Sequence, residues 1–332
     1  MTVDHAEIYA PTFGPQQFSN HFPMASFALK KLGADEELID RFNKDNLPRL
    51  DLNVRSDNSL VITKDNFDLN LGKAKGYLGY LKYFQDKGCQ GKELPRIDDL
   101  AKGVSASAFH ALIRLGYGLD ANDASEIAAG LAYMADTLLI VIPEENRSAV
   151  VSKVGAGDLG KEIVRKRLAG ELEVLSSKAT ISGRMTVTAQ DNERQNIISS
   201  AFNASDLSLD QVAKISLQVF LHTNNFTALH AVTASHAARL VLPYVGDQET
   251  FIRELFAGII TAVLTIPGED FRADAFGQED LLSQEVLSKQ GRASTDSHDI
   301  KFVYSCLEEY REYGEKLYLA AAELRLNGWG RV

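Results

Sequence analysis

The sequence predicts an all-α protein, a multi-helix array around a buried histidine-lined site, with at most a small β-hairpin near residues 53–69. Apolar residues recur at helical spacing along most of the chain. Asn, Asp, Gly and Pro, the residues that begin and end helices, separate these segments. Only the segment NVRSDNSLVITKDNFDL, residues 53–69, reads as a strand, with Val61 and Thr63 placed among turn residues. Helices with such short connections are typical of an α-helical array.

Start and stop signals place the helices one after another. The first is predicted from about Pro23 to Leu32, with Asn20 or Phe22 as its cap and Gly33 just after its end. Residues 105–119 and 123–139 form a predicted helical hairpin joined at 120–122. The other predicted helices span 35–43, 72–87, 159–176, 195–204, 209–222, 227–242, 249–264, 296–313 and 317–327. The most polar region, 150–192, is expected to lie outside the core.

Composition and length limit the function classes. The 332 residues are 45% hydrophobic, and no internal repeat or low-complexity linker divides them, so one domain over 1–332 is predicted. A net charge of −10 makes non-specific nucleic-acid binding unexpected, because that binding needs clustered Lys and Arg. Cys89 and Cys306 are the only cysteines, which fits a reducing compartment. No apolar run suits a signal peptide or a membrane span, so we expect a cytoplasmic monomer or homodimer.

The segment LHAVTASHAARLVLPYV, residues 229–245, carries two histidines in otherwise apolar, small-residue surroundings. A buried titratable side chain is costly unless something satisfies it, and a metal ion is one candidate. His230 and His236 are six residues apart, which places them about 120° apart around an ideal helix. Both reach one site only if the helix lies deep in the bundle or contains a π-bulge. Otherwise one of them is a core histidine.

Two further helical faces carry candidate site residues. His110, Arg114 and Tyr117 share one face of a predicted helix, where they form either a pocket lining or a half-exposed polar face. His298 and Lys301 share another. The ammonium group of Lys301 is either solvated or part of the site, and it could bind a metal only if neutralised or converted to a carbamate, whose oxygen is a normal metal ligand.

Four strings in this order resemble the questin oxidase-like family: SNHFPMASFALKKLGA, FHALIRLGYGL, LHAVTASHAARLVLPY and DSHDIK. The resemblance runs from Asn20 to about Tyr318. It implies a mainly helical fold and an oxygen-dependent oxidation, Baeyer–Villiger-like and NADPH-linked or based on non-haem iron. Fungal members open anthraquinone rings. The metal ligands that the resemblance implies are His21, His110, His230, His236, His298 and Lys301.

The same resemblance suggests roles for residues around the metal. Arg114 and Tyr117 are candidates for binding a phenolate or quinone oxygen, and Asn20 and Asp296 for orienting ligand imidazoles. No GxGxxG fingerprint follows a strand, so a Rossmann nicotinamide or flavin site is not predicted. The string GAGDLG, Gly155–Gly160, is expected to be a loop.

Three functions remain open on the sequence alone. The first is a non-haem metal-dependent oxygenase that uses O₂ on an aromatic or quinone-like small molecule, with iron or another divalent metal as cofactor. The second is a metal-dependent hydrolase or isomerase that activates water or polarises a carbonyl. The third is a non-catalytic helical protein that binds a hydrophobic small molecule, its histidines serving as hydrogen-bonded core residues.

Overall fold

The computed structural model describes residues 5–53, 60–89, 93–147, 153–277 and 280–329. This part of the chain contains sixteen α-helices and one two-stranded sheet, which confirms the predicted all-α fold. The helices α1 to α16 span His5–Ile8, Phe22–Lys31, Glu36–Asn46, Tyr77–Lys87, Ile97–Leu100, His110–Ala121, Ala124–Asp136, Ala156–Leu168, Ile181–Gln190, Asn192–Phe202, Leu209–Thr223, Phe226–Val241, Gln248–Val263, Gln284–Ala293, Ser297–Tyr313 and Leu317–Asn327.

The β-hairpin does not lie where the sequence suggested. Strands β1, Thr12–Phe13, and β2, Phe18–Ser19, pair antiparallel. Of the predicted strand region, residues 54–59 lie outside the described residues, and 60–69 form turns and the start of a 3₁₀ helix. Asn66 closes one of these turns, because its side chain accepts from the N–H of Thr63 and donates to the carbonyl of Val61.

Helix α12 lies at the centre of the array. It is buried on all sides over most of its length and packs against α6, α11, α13 and α15. Alanines on α12 permit close approach, and Gly116 of α6 lies directly against Ala237. A Cβ built on Gly116 would come within 2.8 Å of the Ala237 Cα atom. The distance between α6 and α12 is therefore set by the absence of a side chain at Gly116.

The polar region 150–192 was expected to lie outside the core. Its described residues include two helices, α8 and α9. Helix α8 begins at Ala156, so most of the GAGDLG string is helical and not a loop. Helix α9 was not predicted, and it brings Ile181 and Arg184 to the wall of a central cavity. The N-cap of α9 is Thr180, whose hydroxyl accepts from the N–H of Gly183. In the described part of the chain, no helix is both long and apolar enough to cross a membrane.

Candidate metal centre and substrate cavity

Four histidines meet at the beginnings of four different helices. His21 precedes α2, His110 is the first residue of α6, His230 lies in the second turn of α12, and His298 is the second residue of α15. One ligand nitrogen from each lies within 4.8 Å of the others. Two ligands on opposite sides of one ion, each at about 2.1 Å, lie about 4.2 Å apart, so these nitrogens have nearly the spacing of one coordination sphere.

The outer nitrogen of each imidazole, Nδ1, contacts an oxygen atom. His110 Nδ1 is 2.5 Å from the Ser107 carbonyl, and His230 Nδ1 is 2.7 Å from the Phe226 carbonyl. His298 Nδ1 is 2.9 Å from Asp296 Oδ1. The fourth, His21 Nδ1, is 3.3 Å from the hydroxyl of Ser297. Such contacts orient the rings and are typical of metal-binding histidines.

These contacts determine which nitrogen carries the proton. A carbonyl or carboxylate can only accept, so Nδ1 must donate in His110, His230 and His298. Each neutral ring then presents a lone pair at Nε2. The Nε2 atoms of His110 and His230 are 3.1 Å apart, a hydrogen-bond distance that two lone pairs cannot use. The Nε2 atoms of His21 and His298 are buried and have no hydrogen-bond partner among the described residues. One metal ion would bind the lone pairs of His110, His230 and His298, and also that of His21 when its Nδ1 donates to the Ser297 hydroxyl.

Burial keeps the four rings neutral. Desolvation lowers the pKa of His110 to about 3, with nearby Lys301 adding to the effect. The pKa values of His21 and His230 fall well below 6.5 for the same leading reason, and that of His298 is also lowered. Neutral imidazole is the form that binds metal, so the four rings are in the metal-binding protonation state at neutral pH.

Lys301 is almost completely buried beside the histidines. Its side chain is 2% exposed, and burial lowers its pKa to about 7. It lies three residues after His298 on α15, and its charge contributes to lowering the pKa of all four clustered histidines. Among the described residues it forms no ion pair. The solvated-lysine interpretation that the sequence left open does not apply, because the side chain lacks contact with bulk water.

His236 lies outside this cluster. Its Nδ1 atom is 2.6 Å from Glu309 Oε1, and the same carboxylate oxygen accepts from Arg239. Hydrogen bonding and charge from these two partners lower the pKa of Glu309 against the effect of burial. The structure therefore brings His230, and not His236, to the other histidines. The cause is the six-residue spacing, which directs the two rings to different sides of α12.

The structure gives the two predicted catalytic residues other partners. Arg114 is buried and forms a bidentate pair with Glu126, at 2.8 and 3.0 Å. Tyr117 donates to the main-chain carbonyl of Lys301 at 3.1 Å and lies 3.2 Å from Ser305 Oγ. Neither side chain lines the central cavity described below. Burial on α6 explains the difference, since nearly the whole helix is covered and the shared face points into packed structure.

The two residues predicted to orient imidazoles behave differently. Asp296 caps α15 and contacts His298 through the same carboxylate oxygen, and its pKa is lowered to about 2, mainly by the hydrogen bond with His298. Asn20 instead contacts His5 and the carbonyl of Ala10, and accepts from the N–H of Phe22. It therefore organises the chain entering α2 rather than a ring of the cluster.

An unusual backbone turn precedes His110. Ser107, Ala108 and Phe109 have φ values of 49°, 55° and 69°, in the left-handed region that L-residues rarely adopt. Each such residue costs about 1–2 kcal/mol. The turn brings the Ser107 carbonyl within hydrogen-bond distance of His110 Nδ1, and it places Ser107 and Ala108 at the cavity surface. The sequence predicted helix from residue 105, so this strained turn was missed, and no local signal marks it.

A cavity of about 800 Å³ opens beside the cluster and includes three of its histidines in its lining. Its size suits a drug-sized organic ligand. Most of the surface that the cavity exposes is apolar, although more than half of the lining residues are polar. The lining includes Phe13, Phe18, Phe22, Phe42, Phe226, Tyr133, Ser19, Ser107, Thr180, Arg184, His21, His110 and His298. The Phe226 ring also contacts His230 and His298, with ring centroids 4.7 and 4.5 Å apart, and so joins cavity to cluster.

Comparison with known proteins agrees with the sequence motifs. No curated protein is similar enough to the chain to count as a match. A family model described as questin oxidase-like matches residues 18–306, a span that contains all four clustered histidines and most of the cavity lining. Because this match covers most of the chain, the protein belongs to the questin oxidase-like family.

Proposed function

We propose that the protein is a non-haem metal-dependent oxygenase that uses O₂ to oxidise an aromatic or quinone-like small molecule, in a Baeyer–Villiger-like or ring-cleaving reaction. Membership of the questin oxidase-like family supports an oxidoreductase. The observation that carries the proposal is the meeting of four imidazoles, His110 and His230 buried and His21 and His298 partly buried. In three of them the Nε2 lone pair has no donor among the described residues, and the Nε2 atom of His21 has no partner there either. A core packing role for these histidines would leave the lone pairs unsatisfied at high cost.

His21, His110, His230 and His298 would hold the ion. Bound iron, or another divalent metal that accepts imidazole, would supply the redox chemistry that activates O₂. The protein's own contribution is to hold each ring in the metal-binding tautomer. Asp296 does this most strongly, because its carboxylate accepts the Nδ1 proton of His298 and raises the basicity of the opposite nitrogen.

The charge balance of the site favours an additional anionic ligand. Four neutral imidazoles bring no negative charge, and all four lie within the first two turns of their helices, where the helix dipole is positive. We propose that Lys301 supplies this charge as a carbamate. Because its pKa is lowered to about 7, a sizeable fraction of neutral amine, the form that reacts with CO₂, exists near neutral pH.

The carbamate can be tested by metal retention. Protein purified in CO₂-free buffer should retain less metal than protein purified with bicarbonate, and Lys301→Met should retain little in either buffer. Lys316→Met, which removes a lysine outside the cavity lining, is the control and should behave as the unaltered protein does. Equal metal content in both buffers would contradict the carbamate and leave Lys301 as a neutral neighbour.

The cavity would bind a planar aromatic substrate. Its phenylalanines exclude water and can stack on aromatic rings. A hydroxyl pair supplies polarity, since Ser19 Oγ and Tyr133 Oη lie 2.7 Å apart and both residues line the cavity. In this pair one hydroxyl donates to the other, which leaves a second proton to donate to a quinone or phenol oxygen.

Two measurements together test the function. Metal analysis of protein purified without chelator should find about one ion per chain, and a double variant, His230→Ala with His298→Ala, should lose it. His222→Ala is the matched control, because the His222 ring contacts the Arg272 carbonyl and lies outside the cluster. The metal-loaded protein should then consume O₂ with a panel of hydroxyanthraquinones, with and without NADPH.

The outcomes separate the three functions. Metal without O₂ consumption, but with hydrolysis or isomerisation of a panel member, would favour the metal-dependent hydrolase or isomerase. Protein that binds no metal, and whose double variant behaves like the unaltered protein, would favour a non-catalytic small-molecule-binding protein.

A further inference from the structure

Arg184 lies in the wall of the cavity, and no described carboxylate neutralises it. Its Nη1 donates to the carbonyls of Lys178 and Ala179 at 3.0 and 3.5 Å. Its Nη2 makes one long contact, 3.4 Å, with Thr227 Oγ1. Its Nε is buried, and no hydrogen-bond partner for it lies in the described part of the chain. The acceptors that the structure gives it are neutral oxygens, so this partly buried positive charge has no counter-ion among the described residues, and an anionic ligand would supply one.

The guanidinium group is close to the histidine cluster. It contacts Thr227, which lies three residues before His230 on the same face of α12. Three residues correspond to about 4.5 Å along the helix axis. Phe226, which contacts two rings of the cluster, lines the same cavity as Arg184. A ligand bound against the cluster therefore extends to Arg184 if it is one or two aromatic rings long.

Two helix N-termini add positive potential at this point. Helix α9 begins at Ile181, and the cavity lining includes Thr180, Ile181 and Ser182 from its cap and first turn. Helix α12 begins at Phe226, which is also part of the lining. The positive ends of helix dipoles favour anions, and they reinforce the guanidinium rather than neutralise it.

The acidic residues of the cavity are committed elsewhere. Asp296 is engaged with His298 and Arg325. Asp136 is buried and accepts the N–H of Gly76 at 2.7 Å. The other arginine of the lining, Arg49, is exposed to solvent, so its charge is compensated by water. Arg184 thus differs from every other charged group of the described lining in being a partly buried cation without a counter-ion.

We infer that Arg184 determines substrate specificity by pairing with an anionic oxygen, a carboxylate or phenolate, on an aromatic substrate whose reacting part lies at the histidine cluster. The guanidinium retains free N–H donors at Nη2 for such a contact. This inference rests on the proposed function only in taking the cavity as the substrate site. It concerns binding, and no bond is made or broken at Arg184.

A pair of matched probes tests the inference. Anthraquinone-2-carboxylate and anthraquinone-2-carboxamide have nearly the same shape and differ in charge. Dissociation constants are measured for both at pH 7.5 with the protein as purified. The unaltered protein should bind the carboxylate at least about tenfold more tightly, as expected for one charged hydrogen-bonded contact. Arg184→Met should reduce this preference to about twofold or less, while its affinity for the carboxamide stays nearly the same.

Two further variants complete the experiment. Arg184→Lys keeps the charge without the planar fork and should retain only part of the preference. Arg41→Met, at an exposed position of α3 that does not line the cavity, should retain all of it. If Arg184→Met does not fold, Arg184→Lys decides the question, because its preference must then fall below that of the unaltered protein.

The inference is overturned if the unaltered protein binds both probes equally or binds neither, or if Arg184→Met keeps the tenfold preference. Because the readout is binding, it is independent of turnover. A carboxylate preference that depends on Arg184, in a protein that consumes no O₂, would refute the proposed oxygenase and support the role of Arg184. Oxygen consumption without any preference for the carboxylate would support the proposed oxygenase and refute the role of Arg184.

Discussion

Replacing Gly116 by Ala should test how the helix packing determines the metal site. The added Cβ would lie 2.8 Å from both the Cα and the Cβ atoms of Ala237, and contacts this short are essentially never observed. Ordinary van der Waals contact of a Cβ atom begins at 3.4 Å. Helices α6 and α12 must therefore separate by roughly 0.6 Å or tilt. Since these two helices carry His110 and His230, the movement is transmitted to the cluster.

Two opposing effects determine the size of the change. Gly→Ala inside a helix stabilises by roughly 0.5–1 kcal/mol through chain entropy, whereas overpacking a tight core costs typically about 1–3 kcal/mol. The expected net destabilisation is about 1–2 kcal/mol. With an unfolding entropy of about 2.1 cal/mol/K per residue, the 332 residues give about 0.7 kcal/mol/K. The melting temperature should therefore fall by roughly 1–3 °C.

The larger effect should be on metal binding. Metal sites tolerate deviations of only about 0.2 Å in ligand distance, so a shift of 0.6 Å between two ligands is expected to weaken binding at least about tenfold. Gly157→Ala is the matched control. Gly157 is also helical, but its added Cβ would meet only Gln211 Oε1, at an ordinary 3.8 Å. That variant should melt slightly higher than the unaltered protein and bind metal unchanged.

The assay is thermal unfolding of the metal-free proteins, combined with titration by Zn²⁺ or Fe²⁺ under anaerobic conditions. If Gly116→Ala is as stable as Gly157→Ala and binds metal equally well, the close approach of α6 and α12 does not control the cluster. In that case the reasoning from helix spacing to ligand spacing is wrong.

Three other predictions follow from the site. His298→Gln should reduce metal content at least about tenfold, while His236→Gln should leave it unchanged; loss of metal in both variants, by elemental analysis, would return His236 to the ligand set. The metal-free protein should lose stability as pH falls from about 6.5 toward 3, because His110 has a folded pKa near 3 and the unfolded chain binds the proton first. For this residue, the unfolding free energy changes by up to about 1.4 kcal/mol per pH unit. His110→Gln should reduce this pH dependence, measured by urea unfolding, by about that amount. An unchanged pH dependence would contradict the buried, neutral state of the ring. Ala108→Gly should be neutral or stabilising by about 1 kcal/mol, because Ala108 has φ 55° and Gly adopts this conformation freely; a clear loss of stability in the same assay would contradict the left-handed turn.

Much of the fold follows from local signals in the sequence. Asp123 and Asn225 cap α7 and α12 with their side chains, as their positions before apolar helical runs indicate. The family motifs also identified the four histidines that meet in the structure. Spacing alone indicated that His230 and His236 face different sides of one helix, because that angle depends only on helical geometry.

Only the tertiary structure decided which of the two histidines joins the cluster, because the answer depends on what packs against each side of α12. Glu309, on α15, forms a hydrogen bond with His236, whereas His110, on α6, lies against His230. Arg184 is a second residue whose place could not be predicted from the sequence. It belongs to a polar region that looked peripheral, and it becomes part of the cavity wall only when α9 docks beside the start of α12. A sequence specifies local geometry through backbone periodicity and capping, but the partners of a buried polar group come from distant parts of the chain.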